Sequence, residues 1–394
     1  MTKTSSKSAP PPPSSSNKEH TFDAIVVGAS IAGSIAALEL ANKGWRVAVL
    51  EKRQNLEHYK KLCTHIIHPG GVRALEHHHL LDELKSKSAH DTGMRVEYAG
   101  QDVYFPLGGK LTAANIERQD IDPALKQALD KHSKITLLLG HTLTEITTSN
   151  NSVDGLIAKT SDGELHPFNS YFLIAADGRD STCVKLAEGS HAIQSNHRVA
   201  LFSYVEAVSP TQKYSRIWAL ERGEQYVGVF PNQRRTLISW YVSESYYKDI
   251  QSQKERSFDG LNTFLKTKGV TVGPRLDAVV VAKQTSPQRA SVSLKGLALV
   301  GDAKLAADPL TGVGCSWAMS SASLLATCVG KAQPGNTTSL SAQRRLRFRI
   351  SLYNALHAVL YRMPSFLMTL ASMHGKWIFN KPVYKSMSWF SKIR

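Results

Sequence analysis

Three separated runs in this chain combine glycine with carboxylates in the manner of a dinucleotide site. The first is Gly28-Ala29-Ser30-Ile31-Ala32-Gly33, with Glu51 eighteen residues beyond Gly33. Gly28 suits a tight turn after a strand. Gly33 lets the next helix pack closely on that strand. Free N–H groups at Ile31 and Ala32 would face a pyrophosphate at the helix start. Glu51 stands where a carboxylate accepts a ribose hydroxyl, and Lys52 and Arg53 follow it into the same candidate set. Ser30 replaces the usual second glycine and is still small enough for close approach. The second run is Ala176-Asp177-Gly178-Arg179-Asp180-Ser181. The third is Gly301-Asp302-Ala303, continued by Asp308-Pro309-Leu310-Thr311-Gly312-Val313-Gly314.

Each run requires an element to hold it. Phe22–Val27 is apolar and ends at Gly28, so it reads as a buried parallel strand. Ile31–Lys43 lacks proline and is rich in Ala, Leu and Ile, which predicts a helix closed by Gly44. Trp45–Leu50 is the next strand and delivers Glu51. Tyr171–Ala176 and Leu297–Val300 are further buried strands, and each ends at one of the other two runs. Ser316–Ala326 is a helix of small residues. The first run also approximates a nucleophile elbow, but Ala32 occupies the place of the required glycine, and no acid and histidine follow in suitable turns.

In this order and spacing the three runs resemble the FAD-dependent monooxygenases of the aromatic-hydroxylase and geranylgeranyl-reductase superfamily. The resemblance extends from about Phe22 to Leu325. It implies an α/β fold: a Rossmann-like FAD-binding domain with a three-layer, mostly parallel sheet, interleaved with a mixed β-sheet substrate domain. It implies FAD as cofactor and NADPH or NADH as a transient reductant. Asp177 and Gly178 would lie near the FAD pyrophosphate, and Asp302 would bind the ribityl chain. Gly312 and Gly314, with Val313 and Pro309, would bring backbone close to the flavin ring. Arg118, in Asn115-Ile-Glu-Arg118-Gln-Asp-Ile-Asp122, matches a further family element near the ribityl or phosphate groups; a plain helix-start ion pair with Asp122 is the competing reading. Lys304 and Leu305 stand where many relatives carry a histidine, which counts against a simple phenol hydroxylase.

The expected domain boundaries are 21–93, 107–190 and 285–330 for the FAD-binding domain, and 94–106 with 191–284 for the substrate domain. Residues 1–20 read as a disordered tail, and 331–394 as a basic C-terminal helical segment. In the substrate region, Met94–Phe105, Val199–Val208, Arg216–Leu220, Gln225–Phe230 and Arg235–Val242 alternate like strands. Tyr204, Trp218, Tyr226, Phe230 and Trp240 are the aromatic residues available there, and plain sheet packing is their commoner role. His65, in the loop Leu62-Cys63-Thr64-His65, is a candidate acid or base, and Pro309 is grouped with it as catalytic. His77-His78-His79 falls in a helix expected over Arg73–Leu84. Consecutive helical residues diverge, so the run reads as a solvated face, and no metal site is expected.

The formal net charge is +16, and it is unevenly placed. No Asp or Glu follows Asp308, while eleven Lys and Arg do. The stretch from Gln343 leads into an apolar run that Arg362 and Pro364 break before it could span a membrane. A fold-capping helix, an anionic membrane surface and an acidic partner such as a carrier protein all fit it. No nucleic-acid module is present. The four cysteines, Cys63, Cys183, Cys315 and Cys328, have no metal-like spacing and read as reduced thiols in a cytoplasmic protein. The leading reading is an NAD(P)H-dependent FAD monooxygenase that hydroxylates or epoxidises a small aromatic or prenyl/polyketide-type substrate through a flavin C4a-hydroperoxide. A prenyl reductase, a halogenase using Lys60 or Lys61, and a non-catalytic FAD-binding helper remain alternatives.

Overall fold

Ala24–Val27 is buried along its whole length and sits at the centre of a five-stranded parallel sheet. The strand order is Leu297–Leu299, Leu173–Ala175, Ala24–Val27, Val47–Glu51, Ile135–Leu139. The structure, a computed structural model, describes residues 21–87, 89–91, 93–98, 101–106, 113–206, 214–220, 225–332 and 339–374. The expected disordered tail at 1–20 and the end of the basic segment, 375–394, lie outside the described residues.

The central strands are apolar on both faces because both are covered. Ala24 and Val26 face the helices Ile31–Asn42, Arg118–Lys131 and Gly314–Val329. Ile25 and Val27 face a three-stranded antiparallel meander, Thr142–Ser149, Ser152–Lys159 and Leu165–Asn169. This gives the three layers that the fold class requires. The predicted helix after the first turn is Ile31–Asn42, ending just before Gly44, and the small-residue helix runs longer than expected, over Gly314–Val329.

A seven-stranded mixed sheet forms the second body of structure. Its order is Val280–Ala282, Arg198–Glu206, Arg235–Ser243, Gln225–Pro231, Ser215–Leu220, Gly93–Tyr98, Gln101–Pro106. Ser215–Leu220 pairs parallel with Gly93–Tyr98, and the other pairings are antiparallel. One face carries Phe202, Tyr226, Phe230 and Tyr241 and packs with Ile66 and Leu310. The other carries Trp218, Trp240 and Val227 and is covered by the helices around Phe258 and Leu265. The five aromatic residues singled out from sequence therefore divide between two faces.

One expectation is corrected. The helix expected over Arg73–Leu84 is two helices, Pro69–His77 and Leu81–Lys85, separated at His79, whose φ is +58°. His78 lies past the end of the first helix, so the helical argument stops short of it. Its side chain is 2 % exposed and turns to Glu39, with Nε2 3.7 Å from Oε1. His77 joins them, and the three candidate ligand atoms lie within 4.8 Å of one another. The run is thus not a uniformly solvated face. Glu39 already accepts from Lys43 Nζ at 2.9 Å and Ser323 Oγ at 3.2 Å. Burial would raise its carboxyl, but His78 and Lys43 together hold it down at about 2. The C-terminal helix runs through Pro364, over Leu340–His374. Among the described residues, no helix is long and apolar enough to cross a membrane.

Candidate functional site

All three glycine runs lie at the carboxyl ends of the parallel strands, where ligands of open α/β sheets bind. Gly28 follows Ala24–Val27 with φ +103°, and a Cβ there would sit 2.6 Å from the Ala176 carbonyl oxygen. At Gly33 a Cβ would lie 1.8 Å from the Gly28 oxygen, so only glycine lets the helix start so close to the strand. Ile31 and Ala32 form the first helical turn, with Ser30 in extended conformation ahead of it.

Glu51 braces this turn. It accepts the Ala29 N–H at 3.1 Å through one oxygen and the Arg53 N–H at 2.9 Å through the other. Lys52 and Arg53 are exposed just beyond. For Arg118, the expected ion pair with Asp122 is present in the structure. Its Nε and Nη2 donate to the two Asp122 oxygens, each at 2.8 Å, and Nη2 also donates to Ser30 Oγ at 2.8 Å. The pair is buried, with side chains 5 % and 3 % exposed. A helix-start ion pair thus points a guanidinium at the turn that would cradle phosphate.

The second run joins the third. Asp177 Oδ2 accepts the Cys183 N–H at 3.0 Å, and Ser181 Oγ accepts the Val184 N–H at 3.1 Å. The Arg179 guanidinium donates to the Ser286 and Ala307 carbonyls. Gly301 N–H donates to Ser321 Oγ at 3.0 Å, and a Cβ at Gly301 would meet the Ala32 Cβ at 2.6 Å. Asp302, partly exposed, lies 3.4 Å from Lys60 Nζ. Lys60, weighed from sequence as a halogenase lysine, is therefore tied to the carboxylate assigned to the ribityl chain. Lys304, at the departure from the family pattern, is instead half-buried against the C-terminal helix, donating to Asn354 Oδ1 at 3.0 Å.

The loop after Asp308 is held from the sheet side. Asp308 Oδ1 caps the short turn Pro309–Thr311 by accepting the Leu310 N–H at 3.0 Å. Its Oδ2 accepts from Arg198 and from Asn196 Nδ2, and the Arg198 pair is buried. Gly312 has φ +66°, and a Cβ there would meet Ile66 at 2.7 Å. Val313 and Gly314 then open the helix Gly314–Val329.

His65 lies against this loop, 2 % exposed and with φ +64°. Its Nδ1 accepts the Arg118 backbone N–H at 3.2 Å, so the ring proton belongs on Nε2. That nitrogen is hydrogen-bonded to the Tyr204 hydroxyl. The Arg235 guanidinium stacks 3.5 Å from the Tyr204 ring centroid and pairs with Glu117 at 2.7 Å. Burial pushes the Tyr204 hydroxyl well above its ordinary pKa. Sequence reasoning missed two associations here, Tyr204 with His65 and Cys63 with Cys315. The sulfur atoms of the latter are 3.6 Å apart. Neither left a local signal, since the partners are 139 and 252 residues apart.

These residues fit a dinucleotide. Asp177 Oδ1 is buried with no hydrogen-bond partner in the protein, as an acceptor awaiting a ligand would be. Cβ positions at Gly178 and Gly314 face open space. Glu51, Arg118, Asp177, Asp302 and the Gly312–Gly314 backbone would hold the group.

Residues 21–344 match the FAD binding domain family, and the chain belongs to it. It is an FAD-dependent oxidoreductase, in a family for which NADH or NADPH is the usual reductant. The chain is 25 % identical to digeranylgeranylglycerophospholipid reductase 1 of Methanococcoides burtonii, covering 76 % of this chain and 72 % of that protein. It is 31 % identical to squalene epoxidase of Saccharomyces cerevisiae over 99 residues, 25 % of this chain and 20 % of the relative. Among solved structures, a flavin-dependent brominase shares the fold with a TM-score of 0.75, at 15 % identity and with 94 % and 93 % of the two chains covered.

Proposed function

We propose that this protein is an NAD(P)H-dependent FAD monooxygenase that hydroxylates or epoxidises an apolar organic substrate, aromatic or prenyl/polyketide-like. FAD, when bound, would supply the redox chemistry: hydride acceptance from a nicotinamide and transfer of one oxygen atom from dioxygen. The observation that carries this reading is the junction at Gly312. There the dinucleotide side meets an apolar face made by Ile66, Phe202, Phe230 and Leu310. Such a face excludes water from the reacting region and suits a hydrocarbon or aromatic ring.

Tyr204 is the polar handle on that face. The His65 Nε2–H donates to its oxygen, because Nδ1 is already used as an acceptor. The tyrosine's own proton is then free to be donated to a substrate oxygen. Burial keeps that proton in place across the neutral range, so Tyr204 acts as a donor rather than a base. His65 is a positioning residue for Tyr204. Pro309 sets the turn that presents the Gly312 backbone, and Asp302 with Asp177 supplies acceptors for cofactor hydroxyls or amides.

A second reading is saturation of a prenyl double bond. It is supported by the likeness to the archaeal prenyl-lipid reductase along most of both chains. The same apolar face would accept an isoprenoid. The two are separated by supplying the FAD-loaded protein with NADPH or NADH and heavy-isotope dioxygen. The substrate panel would be squalene, a geranylgeranyl lipid, a menaquinone and simple phenols. A product carrying the heavy oxygen supports the monooxygenase. A product with two added hydrogens and no label supports the reductase. Retained FAD with no turnover of any substrate would favour a helper protein, and a purified protein that holds no FAD would sink all three.

A further inference from the structure

The four cysteines are free, and two of them meet at the edge of the flavin site. Cys63 lies in the loop before Ile66–Ile67, and Cys315 is the second residue of the helix Gly314–Val329. Their sulfur atoms are 3.6 Å apart, against about 2.05 Å in a disulfide, so an approach of about 1.5 Å would join them. Both residues are half-buried. We propose that Cys63 and Cys315 form a peroxide-responsive dithiol that converts to an intramolecular disulfide, fastening the Leu62–His65 loop to the helix start beside the flavin.

The two thiols are not equivalent. The Cys63 sulfur is in hydrogen-bond contact with the Cys315 sulfur, accepts the His65 N–H at 3.3 Å, and lies near the Arg118 guanidinium. These contacts hold the Cys63 thiol well below its usual pKa, whereas the Cys63 contact and burial push Cys315 well above. Cys63 is therefore the nucleophile and Cys315 the resolving thiol. Cys183 is buried, with its thiol pushed up by burial and by Asp177, and Cys328 is buried and also pushed up by burial. Neither competes.

The reaction balances with hydrogen peroxide as oxidant, the species released when electrons from a reduced flavin reach dioxygen without a substrate. The Cys63 thiolate attacks one peroxide oxygen. An S–O bond forms, the O–O bond breaks, and the departing hydroxide takes a proton to become water. The Cys315 thiol then attacks the Cys63 sulfenic sulfur. An S–S bond forms, the S–O bond breaks, and the hydroxyl leaves with the Cys315 proton as a second water. Two thiols are oxidised and one peroxide is reduced. Dithiothreitol or a cellular dithiol reverses the change.

The loop is well placed to transmit it. Ile66 limits the space at Gly312, and His65 holds both Tyr204 and the Arg118 backbone. Drawing Cys63 toward Cys315 therefore moves a segment that touches the glycine loop, the phosphate-side arginine and the Tyr204 hydroxyl together.

The test is a thiol count on denatured protein after treatment of the folded, FAD-loaded chain with a slight excess of hydrogen peroxide. We expect titratable thiols to fall from four to two and to return to four with dithiothreitol. Peptide mapping should place the bond between Cys63 and Cys315. Cys315→Ser should leave a Cys63 sulfenic acid that dimedone traps, and Cys63→Ser should lose no thiol to peroxide. Retention of four thiols in the wild type overturns the proposal. So does a bond that involves Cys183 or Cys328, or one that joins two chains. The wild-type measurements stand even where a variant fails to fold.

Discussion

Arg118 stabilises the fold through a buried ion pair and, on the proposed reading, also serves the cofactor. Its guanidinium neutralises buried Asp122 and reaches Ser30 at the phosphate turn. Arg118→Ala takes the guanidinium from buried Asp122 and leaves the Lys60 backbone N–H, 3.0 Å from Oδ2, still donating to it. Breaking a buried pair from one side costs about 3–5 kcal/mol, so thermal denaturation should show a large loss together with poor flavin retention. Replacing both partners, Arg118→Met with Asp122→Leu, should recover most of the stability and little of the flavin absorbance. Tyr204→Phe keeps the ring under Arg235 and removes only the hydroxyl. It should leave flavin binding intact and lower turnover at saturating substrate about 10²-fold, the lower end of general-acid contributions. Unchanged turnover would remove Tyr204 from the mechanism. The turn glycines were legible in the sequence because Gly28, Ser30, Gly33 and Glu51 act within one strand–turn–helix–strand unit. His65 with Tyr204, and Cys63 with Cys315, were not, because only packing of the loop against two distant elements brings them together.

The element with most to say is the C-terminal helix, Leu340–His374. Its sequence left three roles open, and its described part docks on the fold. Tyr353 donates to the Leu299 carbonyl at 2.7 Å, Arg349 to the Cys328 carbonyl at 3.0 Å, and Arg347 to Ser152 Oγ at 2.9 Å. Basic residues of this segment thus reach backbone carbonyls and a hydroxyl of the FAD-binding body. His357 stacks on Tyr361 at 4.4 Å between centroids and is buried. Burial, with Lys304 and Arg289 nearby, lowers its pKa to about 3 from 6.5. The unfolded chain therefore binds more protons than the folded one between these values. Stability is full above pH 6.5 and falls as pH drops through that window. The loss from this group alone is about 2 kcal/mol at pH 5, from about 1.4 kcal/mol per unit. His357→Phe should flatten the melting temperature between pH 6.5 and 5 relative to wild type. An equal slope in both proteins would refute it. The helix backbone continues through Pro364, because proline disfavours a helix interior without forbidding it.

For the whole molecule, the seven-stranded sheet packs by two distinct apolar faces, and the proposed function uses only one of them. Sequence alternation identified its strands but could not say which face met the cofactor side, since Tyr204 and Trp240 look alike as alternating aromatics. Trp240 packs on the helical side and donates to Gln225 Oε1 at 3.0 Å. Trp240→Phe should cost about 1–3 kcal/mol in denaturant unfolding and leave flavin spectra and turnover unchanged. A change in turnover without loss of stability would show that the faces are not so divided. The mixed sheet is built from segments inserted between the strands that carry the three glycine runs, so the two bodies share their connections.

That insertion has a consequence for how the protein is made. Leu297–Leu299 is an edge strand of the parallel sheet, pairs with Leu173–Ala175, and carries Gly301 and Asp302 at its end. About 270 residues separate Ala24–Val27 from this strand and must be synthesised before the sheet can be completed. Until then the nascent chain exposes the edge of Leu173–Ala175 and lacks the third glycine run. Pairings of such long sequence separation are slow to form and leave apolar edges open to aggregation. A nascent chain that ends before Leu297 could complete the first turn yet would lack the third run.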